Sequence, residues 1–448
     1  MSIYNSSVKT HIIDPVYSRN NFRAEYRLES NTVYLTNWRL LNIGVVGTAG
    51  GKSYNGLVGA LGVIKNIALY DDNQLLDQVL EAPTWLGFKA VNNKNQQSMD
   101  LESNLRKNRV GNCLSGKDAG TNMIGIKLDE WEVNAATTGT IAANNGHRGY
   151  LRLKEVFPLL NNMDGGIPTT VFKNLKVVIE YSQDINDYMG TTDDTNTTTT
   201  EPVLVVDEVV GERGIQKFGN FRGVQYASIE HDRVNVPALV ADADFTNLAP
   251  DTLKTTTLNI NGFDNKTVGR CLMVKTPTLL ASYKTGNDNH RMGKLGSYAM
   301  RGEALQVRIN GSSLFAGRGL TNPAQRQAMT NDSWGVCSFE PFSHLSGYSE
   351  ADAVNRSGKY HGGDNDVGNL DYWGWSVNDK VQDFQIDYDR RSNYIFGTAT
   401  VPPDAGNKAA NDVLSNASRF NQAIEINLFC EVYKSIVPTE GGYQVMYE

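Results

Sequence analysis

Cysteine is scarce. Cys113, Cys271, Cys337 and Cys430 are all that 448 residues hold, and no two form a Cys-x-x-Cys pair. That spacing gives no disulfide framework and no cysteine zinc site, and leaves reduced, buried thiols as the reading. Histidine is almost as sparse. His11, His147, His231, His290, His344 and His361 form no His-x-His or His-Glu-x-x-His pair, so no zinc enzyme is indicated. No run of eighteen apolar residues occurs, and nothing reads as a transmembrane segment. The opening MSIYNSSVKT is polar and lacks the apolar core of a secretion signal. Basic charge is short too. Lys and Arg total 42 against 49 Asp and Glu, for a net charge of −7 and a pI near 5.5. The first twenty residues carry only Lys9 and Arg19. A protein that coats nucleic acid through its own charge needs the opposite balance, so no strong direct nucleic-acid binding is expected.

Catalytic signatures are missing as well. There is no Gly-x-Ser-x-Gly elbow. The acidic residues are too scattered to nominate a glycosidase pair. Gly47-Thr48-Ala49-Gly50-Gly51-Lys52-Ser53 imitates a phosphate-binding loop, but the position that must be glycine is Val46. Tyr54-Asn55-Gly56 follows where a helix should begin, so a β-turn is the plainer reading. His361-Gly362-Gly363-Asp364-Asn365-Asp366 lacks the spacing and the closing Glu of a calcium loop. No catalytic residue, cofactor or metal site is expected.

What is present is strand. In the segment from Leu151 to Tyr181, Leu175, Val177, Ile179 and Tyr181 alternate with Lys176 and Glu180, the period-two pattern of a half-buried strand. Asp164-Gly165-Gly166 and Pro168 mark the turn before it. Ile424, Ile426, Leu428, Cys430 and Val432 repeat the alternation near the end of the chain. Further strands are expected at Arg23–Leu28, Thr32–Ile43, Val63–Tyr70, Glu201–Val210, Tyr226–Val236, Leu253–Ile260, Val268–Lys275, Ala304–Asn310 and Phe384–Tyr388. Leu75, Leu76, Val79 and Leu80 recur at helical spacing and predict a short helix from Asp72. Residues 84–108 read as a surface helix, with Trp85, Phe88, Met99, Leu101 and Leu105 as a weak stripe. Asn322-Pro323 predicts a helix start, followed by Ala324–Met329. Residues 1–20 read as a polar lead-in, and 111–146, 185–201 and 331–380 as long loops.

The halves can be laid over one another. Leu41-Asn42-Ile43 matches Leu258-Asn259-Ile260, Ile64-Lys65 matches Val307-Arg308, and Ile179-Glu180-Tyr181 resembles Cys430-Glu431-Val432, in the same order with a growing offset. The expected fold is therefore all-β: two tandem eight-stranded jelly-roll β-sandwiches with long loops and a few short helices. The Gly211-Glu212-Arg213-Gly214 break sets the domains at 1–212 and 213–448.

Leu153-Lys154-Glu155-Val156-Phe157-Pro158-Leu159-Leu160 followed by Lys173 to Tyr181 resembles the major capsid proteins of polinton-like viruses and virophage-related DNA viruses. Leu258 to Phe263 and the ending Phe429-Cys430-Glu431-Val432-Tyr433 sit where similar segments sit in that family. The resemblance implies a double jelly-roll capsid protein of the virion shell. Its homotrimers have a pseudo-hexagonal outline and tile an icosahedral capsid around double-stranded DNA, with neighbouring capsomers, penton and minor capsid proteins as partners. Tyr348, Tyr360, Tyr372, Trp373 and Trp375 are the candidate subunit contacts, since Tyr and Trp anchor interfaces; a loop packing its own aromatics is the alternative. A secreted carbohydrate-binding or carbohydrate-cleaving β-sandwich is the competing function, and it too would explain aromatic, Asn/Gly-rich loops.

Overall fold

The structure, a computed structural model, describes residues 7–19, 22–46, 59–92, 149–182, 198–237, 253–277, 303–315, 323–335, 372–391 and 423–448. The first half contains β1 (Ser7–Ile13), β2 (Tyr17–Arg19), β3 (Arg23–Arg27), β4 (Val33–Leu35), β5 (Arg39–Ile43), β6 (Val45–Val46), β7 (Ile64–Asp71), β8 (Gln74–Val79), β9 (Gly149–Arg152), β10 (Gly166–Pro168), β11 (Leu175–Tyr181), β12 (Thr198–Thr199) and β13 (Val203–Val210). Helix α1 (Ala82–Asn92) follows β8, and the short α2 (Pro158–Asn162) follows β9. One sheet runs β1–β13–β5–β9, with β4 also on β13 and β10 on β4. The other runs β2–β3–β11–β7–β8, and β6 pairs with β12.

After α3 (Glu212–Phe218) the second half contains β14 (Val224–Val236), β15 (Leu253–Asn259), β16 (Thr267–Pro277), β17 (Glu303–Ile309), β18 (Ser312–Ser313), helix α4 (Pro323–Trp334), β19 (Trp373–Lys380), β20 (Phe384–Arg391), β21 (Ile424–Thr439) and β22 (Gly442–Tyr447). Its sheets run β14–β21–β16–β19 and β15–β20–β17–β18, with β22 on β21.

The principal strands are β1, β3, β5, β7, β8, β9, β11 and β13 in the first half, and β14 to β21 in the second. In both halves the first, eighth, third and sixth lie side by side in one sheet, and the second, seventh, fourth and fifth in the other. That order is an eight-stranded jelly roll, made twice, and the expected fold class stands. It also corrects the overlay of the halves. Ile64-Lys65 and Val307-Arg308 do share the fourth position, on β7 and β17. Leu41–Ile43 lies on the third strand and Leu258-Asn259 on the second, while β11 is a seventh strand and β21 an eighth.

By contact the described residues fall into two compact units. The first takes those up to His231 together with Cys430–Glu448, and the second those from Asp232 to Phe429. Strand pairing divides differently, since no described strand of 1–212 pairs with one of 213–448.

Alternation explains β11. Leu175, Val177, Ile179 and Tyr181 are buried, Glu180 is exposed, and antiparallel partners β3 and β7 flank it. Elsewhere local pattern lost to pairing. The helix expected from Asp72 is strand β8, because Asp72, at φ 54°, turns the chain and sets Gln74 opposite Asp71. A register shift at Leu69/Tyr70 lets consecutive Leu76 and Asp77 both point inward, which in sequence mimics helical spacing. The surface helix of 84–108 is, where described, the buried α1, with Trp85, Leu86 and Phe88 in the core. The strand expected at Thr32–Ile43 breaks into β4 and β5: Thr36 N–H donates to the Gly165 carbonyl, and Asn37 leaves the ladder to reach Asp207.

Helix α4 begins at the expected Pro323 but runs five residues past Met329 to Trp334. It seats on the second unit through polar contacts. The Thr330 hydroxyl donates to the Tyr372 carbonyl (3.0 Å) and accepts from Gly374 N–H (2.8 Å). The Trp334 indole donates to the Cys271 carbonyl (2.9 Å), and the Arg270 guanidinium lies 4.2 Å from its ring centroid.

Candidate assembly surface

Residues 7–19, the described part of the expected polar lead-in of 1–20, instead carry two edge strands. β1 pairs along its length with β13, from Ser7 opposite Val210 to Ile13 opposite Leu204, and β2 pairs with β3. Only Asp14, Pro15 and Val16 separate β1 from β2, so the chain crosses from the edge of one sheet to the edge of the other within three residues. Pro15 suits that crossing, since it can donate no ladder hydrogen bond.

Polar contacts fasten β1. The Thr10 hydroxyl donates to Asp207 at 2.6 Å, and His11 Nε2 lies 2.6 Å from Glu208. Asp207 also accepts from Asn37 (2.5 Å) and Arg39 (3.0 Å), and Glu208 accepts from the Thr32 hydroxyl (2.5 Å). The Thr32 hydrogen bond, helped by His11 and opposed by partial burial, holds the Glu208 carboxyl below the usual carboxylate range.

The outer side of this edge is apolar. Val8 and Ile12 lie on one face of β1, Val16 and Tyr17 continue along the crossing and into β2, and Phe22 precedes β3. Ile12 is 69% exposed and Val16 62%. Five exposed large apolar residues within fifteen positions exceed the scattered singles of an ordinary surface, and such concentrations mark contact sites. The sequence signal was the alternation of Val8, Thr10 and Ile12 with Lys9 and His11, too short to stand out from polar neighbours.

The expected contact aromatics lie elsewhere. Tyr348 and Tyr360 are outside the described residues, as are the phosphate-loop mimic at 47–53 and the 361–366 segment. Tyr372, Trp373 and Trp375 do not project in a loop. Trp373 and Trp375 are on β19, Tyr372 precedes it, and each is 1% exposed. Trp373 packs near Tyr388 and Trp375 edge-on to Phe315. Rings already enclosed in the second unit leave almost no area for a neighbour, so these three are core side chains. Among the described residues no cluster of three or more His, Cys, Asp or Glu could hold a metal ion, and no helix is long and apolar enough to cross a membrane.

No protein-family model matches the chain, and no curated protein sequence matches it. Solved structures do. The chain is similar to the cryo-EM structure of the Sputnik virophage, with a TM-score of 0.58 and 9% identity, covering 98% of this chain and 88% of that one. It is similar to PBCV-1 VP54 fitted into a cryo-EM reconstruction of Sputnik (TM-score 0.54, 11% identity, 100% and 99% covered). It is similar to the mavirus major capsid protein (TM-score 0.51, 10% identity, 98% and 90% covered). Likeness at such low identity defines the fold, which is the double jelly roll.

Proposed function

We propose that the chain is a structural major capsid protein whose homotrimers tile an icosahedral shell around a double-stranded DNA genome. The observation that carries this reading is the length of the likeness: both jelly rolls, end to end, align with capsid structures, including the mavirus major capsid protein. Geometry supports the trimer. Each chain holds two jelly rolls, so three chains in a closed ring present six, a pseudo-hexagonal tile. The divide between the jelly rolls falls at 212/213 in this reading. The acidic balance fits a shell whose genome is neutralised by other factors. The apolar edge of β1 and β2 is the surface assigned to neighbouring capsomers, with Tyr348 and Tyr360 as further candidate contacts. Penton and minor capsid proteins complete the set of partners.

Light scattering on the purified chain, with electron microscopy of the same sample, tests the reading. Three times 49.4 kDa, about 148 kDa, with a hexagonal outline is expected. A stable monomer that binds glycans would instead favour the carbohydrate-binding sandwich.

A further inference from the structure

Within the first unit a line of polar groups is buried among apolar side chains. Asp77 of β8 is fully enclosed. Its Oδ1 accepts from the Ser228 hydroxyl (2.8 Å) and Gln78 N–H (3.0 Å), and its Oδ2 from Leu159 N–H (3.0 Å). Ser228, also fully buried, accepts from Lys434 Nζ at 3.4 Å. Lys434 is ion-paired at 2.9 Å with Glu230, and both are nearly closed to solvent. Beside them the Tyr226 hydroxyl donates to the Leu76 carbonyl, and the Tyr447 ring lies 4.9 Å from Lys434 Nζ. Residues from four distant stretches of chain meet here: 76–78, 159, 226–230 and 434–447.

Asp77 has no cation in direct contact among the described residues. Lys434 is the one cation set against Asp77 among the described residues, it reaches Asp77 only through Ser228, and it is already paired with Glu230. A buried charge without a full partner is unfavourable. One proton taken up by Asp77 removes that buried charge. We propose that the Asp77–Ser228–Lys434–Glu230 line is a proton-operated latch that holds the C-terminal segment Cys430–Tyr447 to the rest of the first unit, looser with Asp77 ionised and tighter with it protonated.

The direction follows from the surroundings. Burial pushes Asp77 up to about 6, against the hydrogen bonds from Leu159 and Ser228, the Lys434 charge and the Gln78 N–H. Burial works against the Lys434 ammonium, but Glu230 and Tyr447 outweigh it and raise its pKa, so it stays charged across this range. Of the other groups facing the cluster from β14 and β22, Tyr226 and Tyr443 are raised by burial and stay neutral. Because the folded value of Asp77 is raised, its contribution to stability is fully present below the unfolded value and is lost as pH rises through about 6. Acidification therefore closes the latch.

Hydrogen exchange on the full chain at pH 7.5 and 5.5, corrected for intrinsic rates, reads this directly. Peptides covering Cys430–Tyr447 are expected to gain about fourfold protection at pH 5.5, the proton-linkage factor for a group moved from 3.8 to about 6. Asp77→Asn, which cannot ionise, is expected to lose that gain. Ser228→Ala removes a hydrogen bond to the ionised form, so its gain is expected to begin at higher pH; it serves if the Asn variant does not fold. Flat protection in the wild type, or an unchanged response in either variant that folds, overturns the latch.

Discussion

Gly374 sits in β19 under helix α4, and replacing it with Ala tests how that helix is seated. A Cβ there would lie 2.5 Å from Trp334 Cδ1, 2.9 Å from Nε1 and 3.1 Å from the Ser333 hydroxyl. The backbone is not the obstacle, since Gly374 is not at positive φ. The indole has little room to yield. Its N–H is committed to the Cys271 carbonyl, and Arg270 covers its face while donating to the Ser333 carbonyl at 2.7 Å. Moving the ring forfeits a hydrogen bond of about 1 kcal/mol and a cation–π contact of about 1 kcal/mol. Overpacking adds roughly 1 kcal/mol where the ring gives way, so Gly374→Ala is expected to destabilise by about 2–4 kcal/mol. Denaturant unfolding at fixed protomer concentration, followed by tryptophan fluorescence, measures it. The decisive comparison is a cycle with Trp334→Ala. That change alone costs about 3–5 kcal/mol but clears the space, so adding Gly374→Ala to it should cost under about 0.5 kcal/mol. Equal penalties with and without Trp334 would refute the steric argument.

Two further expectations concern the N-terminal edge. Ile12→Glu combined with Val16→Glu changes two exposed side chains, so unfolding should shift by less than about 0.5 kcal/mol per site while assemblies seen by light scattering weaken; intact assemblies would remove this edge from the contact. Glu208 is depressed in the folded state, so its support of β1 is present above the ordinary glutamate range and lost as pH falls through the lower folded value. Exchange in Ser7–Ile13 should therefore rise on acidification below about pH 4.5, and Glu208→Gln should remove the pH dependence; a rise of the same size in the variant would place its origin elsewhere.

The two acids show what a sequence withholds. Asp77 and Glu208 both sit in apolar strands, yet they respond to acid in opposite senses. Asp77 is enclosed by residues from 159, 228 and 434, and desolvation dominates. Glu208 keeps solvent contact and gains the Thr32 hydroxyl, so hydrogen bonding dominates. No local pattern distinguishes them, because the deciding neighbours lie far along the chain. The same limit explains β8 and the tryptophans of β19. Helical spacing at Leu75–Leu80 and an aromatic cluster in a Gly-rich stretch are real local signals, overridden by a hairpin and by a sheet that needed filling. β11 was legible because alternation and burial coincide there.

The doubling of the chain was read from short matches; a fourth, Gly51-Lys52-Ser53 with Asn265-Lys266-Thr267, lies partly outside the described residues, and of the other three only one joins equivalent strands. Strand sequences draw on few residue types, so Leu-Asn-Ile recurs, and Ile-Glu-Tyr finds a likeness in Cys-Glu-Val, between strands that share nothing but being strands. Collinearity adds little, because any strands taken in chain order from two halves will be collinear. Pairing position is the stricter test. Ile64-Lys65 and Val307-Arg308 pass it, each on the fourth strand of its jelly roll. The repeat therefore lies in the order in which strands meet. It survives where residue identity does not, since a jelly roll needs each strand's burial pattern and partners rather than particular side chains.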